Sequence, residues 1–166
     1  AGAIIMGKTV TCELAYIHPS KTTNPHDYSR TPGGSSSGSA AVIASHMAHL
    51  SIGSQTGGSI IRPASYCGVV GYKPSYGLIS RSGVLKTSEK LDTIGVFGKT
   101  VKDVALLAKS LIKKDLYDPS TVHFAVDDML KVCDEGPPFE PKFIFYKTDK
   151  WKNISKESQK AFEFLI

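Results

Sequence analysis

Two turns rich in glycine and serine carry hydroxyls beside backbone N–H groups. Gly33 to Ser39 reads Gly-Gly-Ser-Ser-Ser-Gly-Ser, and Thr56 to Pro63 reads Thr-Gly-Gly-Ser-Ile-Ile-Arg-Pro. Acyl transfer needs those parts: a hydroxyl nucleophile, a proton relay and N–H donors aimed at a developing oxyanion. Ser59 follows two glycines, so Thr56, Gly57, Gly58 and Ser59 can turn their N–H groups inward without Cβ clashes. The usual third part, a strong base, is not evident near either turn.

The elements that must hold these turns follow from period and punctuation. Ala3 to Met6 is an apolar run with two isoleucines and predicts a buried strand. Thr11 to Tyr16 predicts a helical turn, and the proline-punctuated stretch from Ile17 to Pro32 a loop. Ala40, Ala41, Ile43, Ala44 and Met47 recur at helical intervals inside a helix expected over Ser37 to Leu50. Leu50 to Gly53 and Val69 to Tyr72 read as strands, and Gly77 to Gly98 as a series of turns. Thr100 to Lys113 reads as a helix capped by Thr100, with Asp103 at the third position. Val101, Val104, Ala105, Ala108, Leu111 and Ile112 form its apolar stripe. Phe143 to Tyr146 reads as a strand and Ser155 to Leu165 as a closing helix. Strands alternating with helices predict an α/β protein.

Bulk properties bound what those turns can serve. At 166 residues the chain is one domain or a piece of one. A content of 41% apolar and 21% charged residues allows a buried core. The net charge of +5 is spread along the chain, and the lysines from Lys99 to Lys114 read as a solvated helix face, so direct nucleic-acid binding is not expected. No run approaches the ~20 apolar residues of a membrane span. The opening Ala-Gly-Ala-Ile-Ile has neither an initiator Met nor a signal peptide, so an N-terminal portion is expected to be missing. Cys12, Cys67 and Cys133 lack metal-ligand spacing and read as buried, reduced thiols of a cytoplasmic protein.

Two formal motif matches fail on physical grounds. Gly2 to Thr9 satisfies the phosphate-loop pattern, but its interior Ala-Ile-Ile-Met favours a strand over a wrap around an anion. Gly34-Ser35-Ser36-Ser37-Gly38 satisfies the nucleophile-elbow pattern around Ser36, with Asp92 and His123 available in the order of a triad. An elbow needs an apolar strand feeding it, and Asn24 to Pro32 is a loop.

Taken together the two turns are not generic, because Ser59 lies 24 residues after Ser35 and is followed by Arg62-Pro63, Cys67-Gly68-Val69-Val70-Gly71 and Lys73-Pro74. This combination resembles the amidase signature family of serine hydrolases. Further landmarks fall in the family's order: Gly2 to Ile5 with Gly7-Lys8-Thr9, Asn24 to Asp27, Arg30-Thr31-Pro32, Leu91 to Gly95 and the helix from Thr100. The likeness covers residues 1 to 112, and residues 113 to 166 match more loosely. It implies an α/β fold with a mixed β-sheet core flanked by helices on both faces, residues 1–166 being a central, partial piece of one such domain.

The resemblance also implies a triad of lysine, a serine in a cis peptide and a nucleophilic serine. Carried over, the nucleophile is Ser59 and the relay is Ser35, preceded by Gly34. The family's lysine falls upstream of this chain; Lys8 stands too near Ser35 in sequence, and Lys73 belongs to a different landmark. These residues alone are therefore expected to be inactive. Gln55 stands where many members carry Asp, and the Gln-Thr-Gly-Gly-Ser form resembles the amidases of small molecules rather than the subunit acting on aminoacyl-tRNA. Arg62 resembles a position that in some members faces an acidic substrate group, although an ion pair within its own loop would explain it equally.

The expected function of the complete protein is hydrolysis of a non-peptide carboxamide through an acyl-serine intermediate, without metal or cofactor. Its partner is a small-molecule amide, with no membrane and no direct nucleic-acid contact, and a homo-oligomer is allowed. Two alternatives stand beside it: the A-type subunit of a glutamyl-tRNA amidotransferase, and a truncated, non-catalytic member acting as a binding scaffold.

Overall fold

The computed structural model describes residues 2–125 and 127–166. The chain divides into two compact units, Ala1–Asp134 and Glu135–Ile166.

In the first unit, three strands form one antiparallel sheet in the order β1-β3-β2. They are β1 (Leu50–Gln55), β2 (Val70–Tyr72) and β3 (Thr93–Gly98). β3 lies in the middle and is buried along its whole length. Its successive side chains point to opposite faces. Phe97 packs with Ala40, Ile43 and Ala44 of α1 (Ser37–Ala44), with Ile60, and with Ala64 and Cys67 of α2 (Ile61–Cys67). Val96 packs with Val104, Leu107 and Ala108 of α3 (Val101–Leu111) on the other side. Helices therefore cover both faces of a small sheet, in keeping with the expected fold class.

The sequence reading of β1, β2 and α3 holds. Thr100 and Asp103 complete a reciprocal capping box at the start of α3. The helix from Ser37 is shorter than expected, because the chain leaves it after Ala44 and turns into β1 at Leu50; Met47 is exposed. Two further corrections concern strands. Ile4, Ile5 and Met6 form no strand and are 87%, 90% and 80% exposed. A strand needs a partner for its N–H and C=O groups, and this run pairs with no strand among the described residues. Phe143 to Tyr146 forms no strand either. Conversely, the supposed turns of Gly77 to Gly98 end in β3. Its glycines are a packing demand: a Cβ on Gly95 would stand 2.3 Å from Ile60 Cδ1 and 2.4 Å from the Tyr72 carbonyl.

The second unit carries α5 (Lys156–Phe164), capped by the Ser155 hydroxyl, and an aromatic cluster of Phe145, Trp151 and Phe162. A short helix, α4 (Met129–Glu135), precedes it in sequence. Cys12 and Cys67 are buried free thiols, and Cys133 is half-buried. No helix among the described residues is long and apolar enough to cross a membrane.

Candidate active site

The turn from Gly33 enters α1 through a cis Gly34–Ser35 peptide. The segment from Thr9 to Cys12 docks against it. The Ser35 carbonyl accepts from the Cys12 N–H at 2.9 Å and the Thr11 hydroxyl at 2.8 Å, and the Val10 carbonyl accepts from the Gly38 N–H at 2.9 Å. The approach is close enough that a Cβ on Gly34 would lie 2.6 Å from Cys12 Sγ, so a larger residue there would force Cys12 to shift.

The four serines of this turn divide sharply. Ser36 Oγ donates to the Ser54 carbonyl at 3.2 Å and accepts from the Ser54 N–H at 3.3 Å. Ser37 Oγ pairs with Ser20 Oγ at 2.9 Å, and Ser39 Oγ donates to the Ile52 carbonyl at 2.8 Å. Ser35 is 3% exposed, and its hydroxyl has no partner among the described residues. A buried polar group is normally satisfied, and the exceptions mark strain or function. Three hydroxyls are structural and one is free.

The second turn leaves the end of β1 and enters α2, and side chains pin both of its ends. Gln55 is buried, and its Oε1 accepts from the Ile60 and Ile61 N–H groups at 2.8 and 3.0 Å. The Thr56 hydroxyl donates to Asp92 Oδ1 at 2.5 Å. The Ser59 carbonyl accepts from the Ser36 N–H at 3.3 Å, which joins the two turns. None of these bonds uses an N–H from Thr56, Gly57, Gly58 or Ser59, and the Ser59 hydroxyl makes no hydrogen bond among the described residues. Arg62 is exposed, with its guanidinium beside Gly58, 2.8 Å from where a Cβ there would stand. It makes no ion pair among the described residues.

A buried ionic cluster backs this turn. Burial would raise the Asp92 carboxyl, but the Thr56 hydroxyl, the Ser88 and Thr87 N–H groups and the Arg81 charge together hold it below the usual aspartate range. Arg81 is 2% exposed. It donates to the Glu89 carbonyl at 2.9 Å, to the Tyr76 hydroxyl at 2.8 Å and to Ser120 Oγ at 3.0 Å, and it pairs with Asp118 at 3.7 Å. Asp118 behaves like Asp92: burial opposes ionisation, and hydrogen bonds from Ser120 and the Arg81 N–H outweigh it. Sequence reasoning missed Arg81, whose partners are spread from Tyr76 to Ser120 with no motif to mark them.

The elbow reading does not assemble. Ser36 is tied to Ser54, Asp92 is occupied by Thr56, Thr87 and Ser88, and His123 is exposed. Nor does a lysine among the described residues bond to Ser35. Lys8 is exposed, and the Lys73 ammonium donates to the Pro74 carbonyl at 2.7 Å. Ser35, Thr56, Gly57, Gly58, Ser59 and Arg62 lie on or beside the joined turns.

Comparison with known proteins reaches the whole chain, including residues beyond 112. The family model described as Amidase matches residues 1–166. The A-type subunit of glutamyl-tRNA(Gln) amidotransferase from Nostoc sp. is 46% identical over 134 residues, covering 77% of this chain and 28% of the relative. The crystal structure of the Thermotoga maritima protein of the same name superposes with a TM-score of 0.71 at 45% identity, over 75% of this chain and 29% of that one. A peptide amidase from Stenotrophomonas maltophilia gives 0.70 at 34% identity, over 77% and 28%. The chain thus spans less than a third of the length of these relatives.

Proposed function

The chain belongs to the amidase family, and from that premise we propose that the whole protein hydrolyses a carboxamide through an acyl–Ser59 intermediate. The observation that carries the proposal is the buried, unpartnered hydroxyl of Ser35, one residue from the bond that joins its turn to Ser59. Ser59 Oγ attacks the amide carbon, and its proton passes through Ser35 and leaves with the amine as the C–N bond breaks. Water then releases the acyl group by the reverse relay. The N–H groups of Thr56, Gly57, Gly58 and Ser59 hold the oxyanion. The base that meets Ser35 is a lysine outside these 166 residues, and the reaction calls on no metal or cofactor. These residues form the central part of one amidase domain, and alone they turn nothing over. Arg62 would receive a carboxylate of the substrate, a role supported by its exposure and by its having no ion pair among the described residues.

A second reading is favoured by relatives 46–48% identical that are named as the A-type subunit of glutamyl-tRNA(Gln) amidotransferase. In it the same chemistry serves an amidotransferase assembled from several chains. Gln55 serves the turn in either reading, because its Oε1 accepts two N–H groups there.

The test is ammonia release from simple carboxamides by the purified whole protein, alone and with any protein that co-purifies. Turnover lost in Ser59→Ala supports the proposal. Turnover that requires the co-purifying partner supports the second reading. A whole protein that binds amides and never releases ammonia is a scaffold, and both readings fall.

A further inference from the structure

The ladder between β1 and β3 ends at the pair Gln55 and Thr93. One step further in the same register stand Thr56 and Asp92. There the main chains part and a side-chain bond takes over, from the Thr56 hydroxyl to Asp92 Oδ1. The register therefore extends one residue past the sheet while the N–H groups from Thr56 to Ser59 have no acceptor among the described residues.

Asp92 is built as a fixed post. Its Oδ2 accepts from the Thr87 and Ser88 N–H groups at 2.6 and 2.8 Å. Its main-chain carbonyl accepts from buried Arg81 at 3.5 Å, and Arg81 is tied in turn to Asp118, Ser120 and Tyr76. A carboxylate only accepts, so the Thr56 hydroxyl must donate and its rotor is set. The far end of the turn is held by Gln55, which leaves the two glycines between as the freely turning part. Without the Asp92 pin, a turn containing Gly57 and Gly58 would sample many orientations, since glycine has the broadest backbone freedom. The carboxylate's charge is balanced by three donors and by Arg81, which limits its repulsion of an oxyanion forming nearby.

We propose that Asp92 is a positioning residue for amide hydrolysis, fixing through the Thr56 hydroxyl the N–H groups from Thr56 to Ser59 where they meet the oxyanion. The inference rests on the reading of that turn as the oxyanion site.

The test uses the whole protein and four variants: Thr56→Val, Thr56→Ser, Asp92→Asn and the double variant Thr56→Val/Asp92→Asn. Rates are taken per active site, counted by fluorophosphonate titration, so that misfolded material does not weigh on them. The expected result for Thr56→Val is kcat lowered about tenfold to a hundredfold with KM within about twofold, the pattern of lost transition-state stabilisation. Affinity for a boronic acid should fall by the same factor as kcat/KM, and Thr56→Ser should recover most of the loss. The double variant should lose no more than the worse single one, as residues acting through one bond do. Unchanged kcat per titrated site in Thr56→Val, or losses that multiply in the double variant, overturns the proposal. Thr56→Val decides this even if Asp92→Asn fails to fold. Ser59→Ala is the control: activity surviving there removes the underlying reading, whereas a required Ser59 with a silent Thr56→Val removes only the role of Asp92.

Discussion

The Ser36 N–H donates to the Ser59 carbonyl at 3.3 Å. This bond joins two turns from distant parts of the sequence and puts Ser35, the neighbour of the donor, beside the turn that carries Ser59. Adjacent serines thereby take opposite duties. The Ser36 hydroxyl holds β1 through both main-chain groups of Ser54, and the Ser35 hydroxyl has no partner among the described residues, as the proposed relay requires.

The substitutions Ser35→Ala and Ser36→Ala should therefore separate stability from turnover. Ser36→Ala removes a two-way tie to Ser54 and is expected to cost about 1–3 kcal/mol in urea unfolding. Ser35→Ala breaks no bond among the described residues, so its unfolding midpoint should stay near wild type while amide hydrolysis by the whole protein drops at least a hundredfold. The reverse pattern would mean that the two hydroxyls have been assigned the wrong way round.

Gln55 accepts two N–H groups at the start of α2 with one oxygen. Gln55→Leu leaves both without an acceptor and should destabilise the protein by about 1–3 kcal/mol for each group left unpaired. Gln55→Glu keeps an acceptor in place and should lose much less. Equal unfolding midpoints for the two variants would show that the turn is held by something else.

Some of this was legible in the sequence. The period-3.6 stripe and the capping pair Thr100 and Asp103 gave away α3, and the glycine spacing marked both site turns. β3 was not legible, since a strand buried on both faces lacks the alternation that identifies one, and Gly95 and Gly98 look like turn residues until Ile60, Tyr72 and Asp103 are seen pressing on them. Ile4 and Ile5 misled in the opposite direction, because an apolar run predicts a strand only where a neighbour exists to pair with it. Which of Ser35, Ser36 and Ser37 is free depends on Ser54 and Ser20, contacts that only the fold creates. Asp92 was visible as a landmark, but its hold on Thr56 follows from the register of two strands, one of them unrecognised.

Acid should weaken the protein through Asp92 and Asp118. Both carboxyls lie below the ordinary aspartate range in the fold, so at pH values just below the unfolded value of about 3.9 the unfolded chain binds more protons. Their contribution to stability is complete above about pH 5 and is lost as pH falls through the folded values. Urea midpoints should be level from about pH 5 to 7 and drop below about pH 4. Asp92→Asn should lower the midpoint at neutral pH and flatten the acid slope, and an unaltered slope in that variant would contradict the assignment.

The most direct measurement is the site of covalent capture. The whole protein is treated with a fluorophosphonate, digested and mapped by peptide mass spectrometry, with Ser59→Ala and Ser36→Ala run in parallel. The expected result is a single adduct on Ser59, absent from Ser59→Ala and retained in the folded fraction of Ser36→Ala. An adduct on Ser36, or labelling that survives Ser59→Ala, would contradict the assignment of Ser59 as the nucleophile.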